Sequence, residues 1–340
     1  MSGDFKYNVN NSQLSAALRI DHQLMTSSPS PRYITLMLSL LAGVSAVSTA
    51  AIFIRFAQNG GAPSIVIAAA RLTFTSLILA PVVFLRYRHD ILRLNRKDLM
   101  LALLSGFFLA LHFATWITSL EFTTVASSVV LVTTTPLWVA IIAPLVLHER
   151  LKGIAVLGLV FAMIGGIIVG MSDACAWQRY RLICPPIKTL FNGTAFFGNA
   201  LALIGAWMAA GYLLVGKKIR ARMELVPYLF IVYGMAALVL LVIMVGMGQS
   251  FLGLPPLDYL WFLLLALIPQ LFGHSIFNWS LKFLPASIVA LTLLGEPVGS
   301  TILAFVIFSE KPGWGKIFGA LFILGGIWLA AQQGGKKGNL

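Results

Sequence analysis

Phe122 to Arg150 reads FTTVASSVVLVTTTPLWVAIIAPLVLHER, and Phe283 to Lys311 reads FLPASIVALTLLGEPVGSTILAFVIFSEK. The two stretches stand 161 residues apart and share their punctuation: Leu120 falls on Leu281, Phe122 on Phe283, Pro136 on Pro297 and Glu149 on Glu310. Further along, Gly158 falls on Gly319 and Gly165 on Gly326. Both stretches are continuous apolar runs, as a membrane-spanning helix requires, and not the short alternating strands of a membrane barrel. The chain therefore reads as a tandem duplication. With five spans in each unit, an odd number, the second unit enters the membrane from the opposite side. Such inverted repeats, related by a pseudo-two-fold axis in the membrane plane, are the architecture of secondary transporters.

Composition fixes the solvent. Of 340 residues 59% are hydrophobic and 10% charged, with a mean hydropathy of +0.91. A water-soluble enzyme could not cover its surface with so few charges, whereas lipid accepts apolar side chains on the outside. The formal net charge of +13 invites a nucleic-acid partner. The basic residues, however, sit in short clusters between apolar runs, where membrane topology places them, so nucleic acid is excluded as a partner. Two cysteines, Cys175 and Cys184, are too few for a zinc site or a disulfide framework.

The apolar runs predict an all-α polytopic membrane protein of ten transmembrane helices. The spans fall near 33–56, 64–85, 99–120, 123–147, 152–172, 194–215, 226–247, 257–278, 285–308 and 314–332. Residues 1–32 form a polar, disordered tail, 33–172 the first repeat, 173–193 an external loop, 194–332 the second repeat, and 333–340 a short tail. With the N-terminus inside, 17 of the 24 Lys and Arg fall on the inner side, at 86–97, 150–152, 217–222, Lys282 and the two tails, and 6 on the outer. That bias predicts both termini in the cytoplasm, with the plasma (inner) membrane as the expected location.

The doubled pattern of a proline in mid-span, a glutamate at the span's end and a Gly-rich next span (GLVFAMIGGIIVG and GALFILGGIWLA) resembles the drug/metabolite transporter superfamily, specifically the ten-span EamA-type permeases. The resemblance covers about residues 33–332. It implies a transporter: relatives export amino acids and other metabolites, and more distant ones move nucleotide sugars or triose phosphates. It implies no enzyme activity and no cofactor. The 173–193 loop is longer than the link usual in this group.

Candidate site residues are polar groups at membrane depth. Glu296 lies 11 residues beyond Pro285, roughly 17 Å into a core about 30 Å thick. A carboxylate there marks a substrate counter-ion or a proton relay, or it bonds a neighbouring helix. Arg71, entering from the other side, lies roughly 12 Å deep, at a similar level. It either faces a cavity, pairs with a carboxylate such as Glu296, or snorkels. His112 is near mid-depth in the third span, as packing residue or as proton carrier. Gln270, His274 and Asn278 share a face at i, i+4, i+8 spacing, lining a vestibule or holding helices together. Trp116, Trp138, Trp207, Tyr212 and Tyr233 are aromatic candidates for a pocket wall or for packing.

Pro136 and Pro297 each remove a backbone hydrogen bond and mark a kink or hinge. Glu149 and Glu310, just ahead of a new span, complement the following helix dipole. Ala162-xxx-Gly166-xxx-Gly170 and Gly315-xxx-Gly319 are small-residue faces, for packing within the chain or between two copies, so monomer and homodimer both stay open. Asn192-Gly193-Thr194 matches a glycosylation sequon. No P-loop, HExxH or complete nucleophile elbow is present, and no residue set suits a metal.

The expectation is a secondary active transporter that exports a small polar or amphipathic, amino-acid-like metabolite by alternating access, with proton coupling through Glu296 the mechanism to test first. An exchanger or importer of the same fold is the alternative within the class; a membrane-embedded enzyme or receptor is the alternative outside it.

Overall fold

The computed structural model describes residues 33–122, 125–147, 153–174, 176–178, 181–183, 194–308 and 314–331. The terminal tails, Glu149, Glu310, Cys175, Cys184, Asn192 and Gly193 lie outside the described residues.

Helices follow the apolar runs in order: α1 (Tyr33–Asn59), α2 (Ser64–Leu92) and α3 (Arg96–Phe122). The fourth run is broken into α4 (Val125–Val132) and α5 (Thr135–Val146), and the fifth is α6 (Gly153–Ala174). A two-stranded antiparallel ribbon, Ala176–Gln178 against Arg181–Ile183, follows within the long loop. Then come α7 (Thr194–Arg220), α8 (Leu225–Gly246) and α9 (Pro256–Ser280). The ninth run divides into α10 (Ala286–Thr292), a 3₁₀ turn at Leu293–Gly295, and α11 (Glu296–Phe308); α12 is Trp314–Ala331.

Seven helices among the described residues are long and apolar enough to cross a membrane. The other expected spans carry the shorter apolar helices Thr135–Val146, Gly153–Gly165 and Ile317–Gly326. The outside of the bundle is apolar too: Leu38, Leu145, Val306 and Trp328 are more than half exposed, as lipid-facing side chains are.

The contacts obey the 161-residue repeat. α3 packs on α7 and α8; its counterpart α9 packs on α1 and α2, the counterparts of α7 and α8. α2 packs on α8, and α6 on α12, so each of these pairs joins a helix to its own counterpart in the other repeat. Glycine makes the last pair close. A Cβ on Gly165 would lie 2.5 Å from the Gly319 carbonyl oxygen, and one on Gly326 would lie 2.4 Å from that of Gly158. Of the two small-residue faces, Ala162 and Gly319 are buried in this intramolecular seam.

Both prolines sit just after a break, not in mid-helix. Thr133 and Thr134 form the turn between α4 and α5, and Pro136 is the second residue of α5. Pro297 is likewise the second residue of α11, after the 3₁₀ turn. The first helical turn tolerates proline because its N–H would be unpaired anyway, so the ring ends one segment and starts the next. A third irregularity is in α9, where Ala266–His274 is π-helical around Pro269. The wider turn absorbs the missing donor.

Candidate functional site

The breaks and the π-helical stretch meet at one cavity between the helices. Its wall is mostly apolar, from Val47 and Ala50 of α1, Val132 of α4, Ala209 and Leu213 of α7, Phe277 of α9 and Leu293 of the 3₁₀ turn. Its polar groups are Arg71, His112, Thr133, Thr135, Tyr212, His274 and Glu296, with Trp116 beside them. Six expected residues (Arg71, His112, Trp116, Tyr212, His274 and Glu296), drawn from α2, α3, α7, α9 and α11, thus face a common space. Apolar walls with a few converging polar groups are the usual make-up of a small-molecule site.

Arg71 is fully buried. Its Nε donates to Gln270 Oε1 at 2.7 Å, and its guanidinium carbon lies 4.2 Å from the centroid of the Phe113 ring. The cation is thereby held by a hydrogen bond on one edge and a ring face on the other side. Thr75 braces the same turn, its hydroxyl donating to the carbonyls of Arg71 and Ala266 at 2.7 and 3.2 Å.

His112 is fixed from behind. Its Nδ1 lies 3.0 Å from the Gly205 carbonyl, which can only accept, so the neutral ring carries its proton on Nδ1 and leaves Nε2 as an acceptor. The ring stacks on Trp116 at 5.8 Å and 11°. Phe113 meets His274 edge-on at 5.5 Å.

The stripe expected on α9 divides its work. Gln270 reaches Arg71, His274 lines the cavity, and Asn278 donates to the Tyr212 hydroxyl and, at 2.7 Å, to the His274 carbonyl. The π-helical turns separate residues that a regular α-helix would have stacked at four-residue spacing. Trp138 and Trp207 form a T-shaped pair at 5.1 Å outside the cavity lining, and Tyr233 contacts Asn278 at 3.5 Å.

Two participants carried no mark of their own in the sequence. Phe113 is an apolar residue in an apolar helix, and only its neighbour His112 pointed there. Thr135 occupies the place in the first repeat that Glu296 occupies in the second, so the 161-residue register was the signal for it.

No curated protein matches the chain. A solved crystal structure is similar over 88% of this chain and 97% of its own, with a TM-score of 0.69 and 16% sequence identity. At that identity the likeness concerns the fold. The family profile described as the EamA-like transporter family matches residues 34–171 and again 196–332. With both repeats matched, the chain belongs to the EamA-like transporter family.

Proposed function

We propose that this membrane transporter is a secondary active exporter of a small polar or amphipathic, amino-acid-like metabolite. Its ten spans would form two inverted five-helix halves with both termini in the cytoplasm. Exchange of conformation between the halves would open the cavity to each side in turn. The observation that supports this best is the placement of one cation and one carboxylate, Arg71 and Glu296, in the same cavity between the repeats. A zwitterion presents the complementary pair of charges, and the apolar wall accepts its side chain. Glu296, at the start of α11 and beside the hinge-like turn, is the group through which a proton would drive the change; Pro136 and Pro297 would mark where the segments swing.

Purified protein in proteoliposomes tests this. Counterflow of labelled α-amino acids, with and without an imposed pH gradient, should show saturable uptake for at least one. Flux that ignores the gradient but needs a counter-solute identifies an exchanger. Absence of any flux across amino acids and other small metabolites overturns the reading.

A further inference from the structure

The geometry points to Arg71 as the anchor for a carboxylate, held end-on by its two Nη groups. A guanidinium offers five N–H donors. Here Nε is spent on Gln270 and one face lies on Phe113, which fixes the plane and leaves only the outer edge. Neither Nη1 nor Nη2 has a hydrogen-bond partner among the described residues, although the side chain is wholly buried. Glu296 lines the same cavity yet does not accept from either of them. Trp116 adds an independent donor. It lines the cavity, is 4% exposed, and its indole N–H also lacks an acceptor among the described residues.

Buried donors left without acceptors are costly, so a ligand that brings acceptors is favoured at this spot. Two parallel N–H groups match the two oxygens of a carboxylate. The charge count favours a carboxylate over a phosphate. The cavity lining holds one arginine, one glutamate and no lysine, so a dianion would be left partly uncompensated in a low-dielectric site. His112 turns an acceptor, not a donor, to its free side and adds nothing to anion binding.

Calling the ligand a substrate rests on the transport reading; binding at Arg71 does not. The test is binding to the purified full-length protein in lipid nanodiscs, by calorimetry and thermal shift. The probes are L-leucine against L-leucinamide, benzoate against benzamide, and inorganic phosphate. At least one acid should bind, and at least tenfold more tightly than its amide. Arg71→Lys keeps charge but loses the planar fork, and should remove that preference. Gln270→Glu sets a rival carboxylate on Arg71 and should weaken the acid at least tenfold. It decides the matter if Arg71→Lys does not fold. Equal binding of acids and amides, no binding by any probe, tighter Arg71-dependent binding of phosphate, or an acid preference that survives both substitutions overturns the assignment. Binding with acid preference, together with no flux of any amino acid or other small metabolite in proteoliposomes, overturns the transport reading and leaves the carboxylate site standing.

Discussion

Gly165 and Gly326 stand at equivalent places in the two repeats, and each presses its bare Cα against the main chain of the other's helix. The contact Gly165–Gly319 and the contact Gly326–Gly158 are equivalent in the 161-residue register, with the roles of the two repeats exchanged. In lipid, where apolar burial gives helices no special reason to associate, such close backbone approach supplies the packing that holds two halves together.

Adding a side chain at this seam should open it. Gly165→Val and Gly326→Val would each set carbon against a carbonyl oxygen and main-chain nitrogen, neither of which is a flexible side-chain tip. Overpacking of this kind costs about 1–3 kcal/mol. The melting temperature of the purified protein in detergent should fall for both, and by similar amounts because the sites are equivalent. Gly234 in α8 has open space where a Cβ would go, so Gly234→Ala should leave the melting temperature unchanged or raise it.

The proposed topology makes a prediction about sides. Cysteines are introduced singly at His89 and Ser250, both exposed, in a background where Cys175 and Cys184 are serine. An impermeant maleimide should label Ser250→Cys in intact cells and His89→Cys only after the membrane is opened. The reverse pattern would turn the protein over and would put the 17 basic residues outside.

Much of this architecture could be read from sequence because lipid imposes a simple rule: apolar runs of sufficient length become helices. The register of Pro136 with Pro297 and of Gly165 with Gly326 exposed the repeat, but not the pairing of α6 with α12, because a small-residue face suits a second copy as well as another helix of the same chain. Polarity at membrane depth singled out Arg71, His112 and Glu296 for the same reason, since few other groups there are polar. What stayed hidden depends on irregular backbone and on apolar partners. A nine-residue π-helical stretch in α9 is invisible to a 3.6-residue periodicity, so Gln270 and His274 looked like one surface when they face different neighbours. Phe113 supports Arg71 through its ring face, which hydropathy cannot distinguish from any other packing phenylalanine. Lys217 and Arg220 looked like ordinary positive-inside residues, yet both reach back to cap another helix.

Glu296→Gln tests coupling. Gln keeps the shape and the hydrogen-bonding capacity but carries no exchangeable charge. Transport driven by a pH gradient should be lost, while expression in the membrane persists and gradient-free counterflow continues with weaker substrate affinity. An unchanged pH profile with substrate still concentrated would remove Glu296 from the coupling mechanism. Loss of protein from the membrane would instead assign it to helix packing.

Lys217 ties α7 to the chain that follows α9. Its ammonium donates to the carbonyls of Leu281 and Leu284 at 2.9 and 2.8 Å, just beyond the last turn of α9. Carbonyls at a helix C-terminus have no partner within the helix, and a cation there also meets the negative end of the dipole. Three residues on, Arg220 donates through Nε to the Asn278 carbonyl at 3.0 Å and through Nη1 to that of Met223. Asn278 in turn donates to Tyr212, which lines the cavity. Basic residues of α7 thus fasten the last turn of α9 and the chain after it, on the side proposed to face the cytoplasm. Hydrogen bonds to a charged group are worth about 1.5–3 kcal/mol each, so Lys217→Met should lower the melting temperature. If the lysine also acts as a latch, the substitution should raise the rate at which a cysteine at the cavity-lining position Leu213 is labelled from the cytoplasmic side of inverted vesicles. A lower melting temperature with an unchanged labelling rate would make Lys217 a helix cap and nothing more.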